Sequence, residues 1–340
     1  MKPLMAACAA VALVAFAGEA LARDQIRIVG SSTVFPFTTA VAEQFGAKTG
    51  MKTPVVESTG TGGGMKLFCA GIGENHPDFT NASRRIKESE VADCAKNGVN
   101  GIVEIKIGYD GIAVAHSKAG PDFDLTLGQL WLALAKEVPV NGALVPNPYK
   151  SWNEIDPALP ATKIEVLGPP PTSGTRDSFV ELGLDAGCHE AYPAAKELKG
   201  DALKATCQTI REDGAFIEAG ENDNLIVQKL IANPNAIGVF GFSFLDQNTD
   251  TLKSVKLDGV PADFETIRAG QYPMARSMYV YGKIAHVGVV PGMREFIDEY
   301  TSDAATGEDG YLADKGLVPL PADEHKAVRA QALGLQPLSM

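Results

Sequence analysis

Apolar and polar positions follow two alternating periods along this chain. Ile26-Arg27-Ile28-Val29, Thr53 to Glu57, Lys163 to Leu167, Ile237 to Phe240 and Ser277 to Tyr281 are short apolar runs rich in β-branched residues, each bounded by turn-forming residues. They predict strands. Gly101 to Ile107 and Gly111 to His116 read as two further strands. Between these runs the spacing changes to that of a helix. Phe37, Val41 and Phe45 stand four apart within Val34 to Phe45, and Leu125 to Lys136, Leu225 to Ala232 and Met293 to Tyr300 carry the same period. Pro139 to Pro160, with five prolines, predicts an irregular connection, and Asn233-Pro234-Asn235 a turn. Strand and helix signals in strict alternation predict an α/β protein with mostly parallel sheets.

One local sentence recurs three times in this pattern: a strand, a turn rich in glycine and hydroxyl side chains, then a helix. Gly30-Ser31-Ser32-Thr33 ends the first strand. Ser58-Thr59-Gly60-Thr61-Gly62-Gly63-Gly64 breaks the second, with a helix expected from Met65. Pro169-Pro170-Pro171 stops the third, since proline cannot continue a central strand, and Ser173-Gly174-Thr175-Arg176-Asp177 opens a helix expected to end near Leu184. The first N–H groups of a helix lack intrahelical partners, and the helix dipole makes that end positive. Each junction alone is a capped helix. Three together predict a shared anion site, with Arg176 as an adjacent permanent charge.

Composition sets the compartment. Lys2 precedes an apolar run from Leu4 to Ala17, and Ala20-Leu21-Ala22 has the small-residue pattern of a cleavage site. Residues 1–22 therefore read as a signal peptide cut near Ala22/Arg23, so the mature protein is expected to be exported. The formal charge is −12, and Lys2 balances Glu19 inside the leader, so the mature chain keeps it. An acidic exported protein is a poor partner for nucleic acid or anionic membrane, so any anion site must be positive locally. Beyond Cys8 there are four cysteines, and proximity in sequence favours the disulfides Cys69–Cys94 and Cys188–Cys207 over zinc, for which no C-x-x-C pair exists. The histidines are scattered without metal-ligand spacing, and no cofactor motif is present.

Several stretches, in order, carry a family resemblance: Gly30-Ser31-Ser32-Thr33-Val34-Phe35-Pro36-Phe37, Thr59-Gly60-Thr61-Gly62-Gly63-Gly64-Met65-Lys66, Asp110-Gly111-Ile112-Ala113-Val114, Ser173-Gly174-Thr175-Arg176, Tyr272-Pro273-Met274-Ala275-Arg276 and Gly316-Leu317-Val318-Pro319-Leu320-Pro321. Over nearly all of its mature length the chain resembles the periplasmic phosphate-binding component of the phosphate-specific ABC importer. The resemblance implies a two-lobed periplasmic binding protein of type II, each lobe a mixed, mostly parallel sheet flanked by helices, with two crossover segments. Residues 23–114 and 279–340 would form lobe I and residues 115–278 lobe II. It further implies a monomeric, non-enzymatic protein that binds inorganic phosphate and delivers it to an inner-membrane ABC permease complex. By motif, Ser32, Thr33 and Val34 would meet the ligand from the first junction, Thr61 and Gly62 from the second, and Ser173, Gly174 and Thr175 from the third.

Two family positions differ. The cleft Asp that accepts the ligand's proton in the family is replaced within Asn81-Ala82-Ser83-Arg84, and an expected Arg is Pro169. Ser83, Arg84 and Arg176 are the replacements this reading offers, with Asp110 and Asp177 as proton acceptors by position. Arg276 reads as a structural charge near a crossover. The same fold tuned to sulfate, arsenate or phosphite is the first alternative. An exported phosphatase is the second, resting on Asp122-Phe123-Asp124-Leu125-Thr126, a pattern that needs its first Asp at the end of a buried strand.

Overall fold

The computed structural model describes residues 23–339 except 172, 221 and 222. The expected signal peptide therefore lies outside the described residues. Strands β1 (Arg27–Gly30), β2 (Val55–Ser58), β3 (Phe79–Ala82), β4 (Ile102–Ser117), β5 (Val166–Gly168), β6 (Phe216–Glu218), β7 (Ile237–Gly241), β8 (Leu252–Ser254) and β9 (Ala275–Lys283) form one hydrogen-bonded system, ordered β2-β1-β3-β9-β4-β7-β5-β6, with β8 also on β4. Pairing is parallel among β2, β1 and β3 and among β7, β5 and β6, and antiparallel around β9 and β4. Each lobe thus has a parallel wing, and the two wings meet at an antiparallel centre.

That centre is one strand where the sequence suggested two. Gly108 and Gly111 break the apolar pattern, but the chain stays extended for 16 residues as β4. β4 pairs with β9 from Ile102 to Gly111 and with β7 from Ile112 to His116. A register shift at Met278/Tyr279 lets β9 follow its bend. Gly111 lies opposite Ala275, and Asp110 opposite Arg276. Two charged residues are therefore fixed side by side where the two wings join.

Helices α1 (Phe35–Thr49), α2 (Thr61–Phe68) and α3 (Glu88–Lys96) follow β1, β2 and β3. On one face of the lobe I wing, Phe37, Val41 and Phe45 of α1 pack with Phe296, Ile297 and Tyr300. On the other, Met65 and Phe68 of α2 pack with Ile86, Val99 and the Cys69–Cys94 disulfide. Lobe II centres on Trp131 and Trp152, both fully buried, with α4 (Leu127–Leu134) and the Cys188–Cys207 disulfide. Trp152 is thus a packing anchor. Both expected disulfides are present. The proline-rich connection is more ordered than expected: it holds a hairpin of Glu137–Val140 with Ala143–Pro146, and a one-turn helix, Trp152–Ile155.

The third junction departs furthest from the expected helix. α5 (Gly174–Phe179) runs into a π-helical turn, Val180–Leu184, and then into α6 (Asp185–Ala191), so the helical path ends seven residues beyond Leu184. α7 (Asp223–Ala232) and α8 (Met293–Tyr300) occupy the late helical patterns. Among the described residues, no helix is long and apolar enough to cross a membrane.

Candidate functional site

The first two junctions converge because two glycines let backbones touch. Gly30 has φ +126°, and a Cβ there would lie 2.2 Å from the Asn81 carbonyl oxygen. A Cβ on Gly64 would lie 2.4 Å from the Gly30 Cα. The first turn of α2 is therefore pressed against the end of β1, beside the start of α1. This corrects the expected start of α2: the helix begins at Thr61, not Met65, and takes in Gly62, Gly63 and Gly64. Glycine is poor in a helix interior, but the N–H groups of Gly62 and Gly63, in the first turn, carry no intrahelical bond, and packing at Gly64 outweighs propensity. An added Cβ on Gly62 meets nothing within 4 Å, so this position faces open cleft. Thr61 Oγ1 accepts a hydrogen bond from the Ser83 N–H at 3.2 Å and lies 3.0 Å from Ser83 Oγ, which ties the helix start to the end of β3.

The third junction approaches from the other lobe. Ser173 Oγ accepts from the Thr175 N–H at 3.2 Å and caps α5. A Cβ built on Gly174 would lie 3.8 Å from the Ser32 carbonyl oxygen and 3.9 Å from Thr33 Cα, so the starts of α1 and α5 nearly meet. Thr33 Oγ1 and Ser178 Oγ are 3.4 Å apart across the same gap.

Arg276 bridges them. Its Nη2 donates to Thr33 Oγ1 at 2.9 Å and to Ser178 Oγ at 2.8 Å, and its Nη1 donates to Glu181 Oε2 at 2.6 Å. Its Nε lies 3.4 Å from Asp110 Oδ2, an ion pair outside hydrogen-bond geometry. Asp110 Oδ2 accepts from Ser178 Oγ at 2.8 Å. One guanidinium thus contacts the first junction, the third junction and the strand common to both lobes.

Two chambers flank this bridge. The outer, about 590 Å³, is lined by Ser32, Thr33, Thr61, Gly62, Ser83 and Arg84 of lobe I, with Glu181, Leu182 and Arg276 opposite. The inner, about 140 Å³, is lined by Thr33, Asp110, Ser173, Gly174, Thr175 and Ser178, with Lys315 and Gly316. Thr33 belongs to both. Nearly all sequence-derived site residues therefore fall on one cleft, divided by Arg276.

Three of them do not face it directly. Val34 is fully buried and its N–H lies 3.4 Å from Ser31 Oγ. Arg176 turns away: its Nη1 donates to the Pro169 carbonyl at 3.0 Å, and its guanidinium lies 4.5 Å from the centroid of the Phe216 ring. Burial lowers its pKa, with Glu218 and Asp177 opposing. Asp177 lines neither chamber. Its carboxyl is pushed up by burial and by Glu181, against a hydrogen bond with Ser32 and the charges of Arg276 and Arg176. Arg84 does line the outer chamber, but both its Nη atoms are taken by Glu90, at 2.9 and 2.7 Å, a pairing that raises its pKa. The cation central to the cleft is therefore Arg276, which its position near a crossover had marked only as structural. Its sequence signal was the Tyr272-Pro273-Met274-Ala275-Arg276 motif. What the motif could not convey is the register that sets it opposite Asp110.

The phosphatase pattern lacks its structural requirement. Asp122 is 85% exposed and paired with Lys253, in a loop ahead of the two-residue strand Asp124–Leu125. Asp124 Oδ1 accepts from the Gly259 N–H.

Comparison with known proteins agrees with this architecture. Residues 15–304 match the model of the PBP superfamily domain. The chain is 30% identical over 305 residues to Protein SphX of Synechococcus elongatus, covering 88% of this chain and 78% of the relative. It is 30% identical over 302 residues to the phosphate-binding protein PstS of Staphylococcus saprophyticus, covering 87% and 80%. Among solved structures it is similar to a possible phosphate binding protein from Planctomyces limnophilus, with 27% identity, a TM-score of 0.71, and coverage of 92% of this chain and 98% of that one. An ABC-type phosphate transport receptor from Vibrio cholerae, 19% identical with a TM-score of 0.59, shares the fold and covers 87% of this chain and all of its own.

Proposed function

Since the chain belongs to the PBP superfamily, and within it to the PstS-type phosphate-binding proteins, we propose that it binds inorganic phosphate in the periplasm and delivers it to an ABC-type importer. The observation that carries this reading is the inner chamber, where Thr33, Ser173, Gly174 and Thr175 converge from both lobes beside Arg276. All are hydroxyl or unhindered backbone donors, which suits the oxygens of a tetrahedral oxyanion. Micromolar affinity corresponds to about −8 kcal/mol. Hydrogen bonds to a charged group contribute about 1.5–3 kcal/mol each, so four or five donors are enough after ordering costs. Thr61 and Gly62 would join them as the outer chamber narrows around the ligand.

In this reading lobe I is residues 23–114 with 279–340, lobe II is residues 115–278, and closure turns on β4 and β9, the two paired strands that link the wings. Asp110 is the acceptor for the proton that phosphate retains, because it lines the inner chamber beside Ser178; Asp177 lines neither chamber. A fully ionised sulfate could offer Asp110 no proton, and the half-buried carboxylate would repel it. The protein acts as a monomer and without catalysis, passing its ligand to a membrane permease. Titration calorimetry of the ligand-stripped protein lacking residues 1–22 tests the reading: one phosphate binds per chain, and sulfate binds far more weakly. Absence of phosphate binding, or equal binding of sulfate, contradicts it.

A further inference from the structure

The outer chamber contains an anion of the protein's own. Glu181 Oε2 holds Arg276 Nη1 at 2.6 Å, on the side of the guanidinium that faces the larger chamber. Its position has a local cause. Glu181 and Leu182 belong to the π-helical turn Val180–Leu184, and both line the cleft. Single π-turns within α-helices re-aim side chains and recur at functional sites.

Two other charges around this cleft are committed. Arg84 is closed off by Glu90, and Asp110 is fixed by Ser178 Oγ and by its place opposite Arg276. Glu181 is different: its side chain is 56% exposed and Arg276 is its one ion-pair partner among the described residues. An oxyanion arriving at Arg276 meets a carboxylate already bonded to the charge it needs.

We propose that Glu181 is a displaceable counter-ion, which neutralises Arg276 in the empty cleft and is exchanged for the incoming oxyanion. This inference rests on the oxyanion-binding reading above and adds a residue that sets affinity. Exchange keeps that edge of the guanidinium paired throughout, with Glu181 before binding and with the ligand after it. The same carboxylate is available to recapture Arg276 as the anion departs. Affinity is then the difference between two anions competing for one cation, lower than the ligand contacts alone would give.

The test is calorimetric titration of phosphate and of sulfate into wild type and Glu181→Gln, with thermal unfolding to establish that the variant is folded. Removing a partly solvated competitor should tighten both anions by about fivefold, the upper end for such an ion pair. Unchanged or weaker phosphate binding by a folded variant overturns the proposal. Weaker phosphate binding with stronger sulfate binding also overturns it, and assigns Glu181 to the ligand's proton instead. If wild type binds sulfate but no phosphate, the phosphate reading fails, and the two sulfate titrations alone decide the role of Glu181. If neither anion binds either protein, both ideas fail.

Discussion

At the scale of single residues, two arginines exchange roles between sequence and structure. Arg176 follows Ser-Gly-Thr directly and carries the charge expected beside a helix start. Yet it sits at the fourth residue of the capped turn, and the helix directs it back to the Pro169 carbonyl and the Phe216 ring. Arg276 lies a hundred residues later and reaches the junctions only because β9 and β4 set it opposite Asp110. Side-chain type and local motif were legible in the sequence; the direction of a side chain across two lobes depends on long-range register and was not. The consequence is measurable. Arg176→Ala should leave phosphate affinity within about twofold, since its guanidinium is held by the Pro169 carbonyl and the Phe216 ring and lines neither chamber. A loss of tenfold or more in calorimetry would return the charge to Arg176.

At the scale of elements, strands and helices with a clear period were found near their expected places, and Met293–Tyr300 at its expected limits. The misses share one physical origin, the override of local propensity by packing. α2 starts four residues early because Gly64 is needed against Gly30. Gly64→Ala should therefore lower stability by about 1–3 kcal/mol in urea denaturation, as for overpacking in a closed core. Gly62→Ala, whose Cβ meets open space, should stay within about 0.5 kcal/mol of wild type. Equal stability of the two variants would contradict the close approach.

The far end of the same wing holds a buried charged cluster that no sequence pattern announced. Lys283, fully buried at the end of β9, donates to the Gly71 carbonyl at 2.6 Å and lies 5.0 Å from the centroid of the Phe68 ring. Nearby, Asp78 accepts from Arg23, from the Arg27 N–H at 2.8 Å and from His286 Nδ1 at 2.7 Å, while His286 Nε2 accepts from the Gly73 N–H. Burial pulls the Lys283 pKa down to about 8 from 10.5, against the pull of Asp78. Between those values the unfolded chain binds more protons than the folded one, so stability rises with pH there. The penalty is complete below about pH 8 and gone by about pH 10.5. Compared with Lys283→Met in thermal melts, wild type should gain ground as pH rises through this window. A constant gap across it would show that Lys283 does not lose its proton in the folded protein.

For the whole molecule, the sequence carried the broad design well: an acidic α/β chain, two short-range disulfides, and three strand–turn–helix junctions that converge on one cleft. It did not convey that the lobes are joined by one 16-residue strand, nor that Arg276 divides the cleft into an outer and an inner chamber. Both follow from pairings between segments more than a hundred residues apart. An overall charge of −12 repels a free anion, so binding depends on local donors and one well-placed cation. The central claim is that an oxyanion is held where Arg276 links the helix starts of the two lobes. Its most direct test is phosphate titration of Arg276→Gln against wild type, with circular dichroism to verify folding. Loss of a charged hydrogen-bond donor should weaken phosphate about 100-fold, a change of about 2.7 kcal/mol; a folded Arg276→Gln protein that binds phosphate as wild type does would contradict the account.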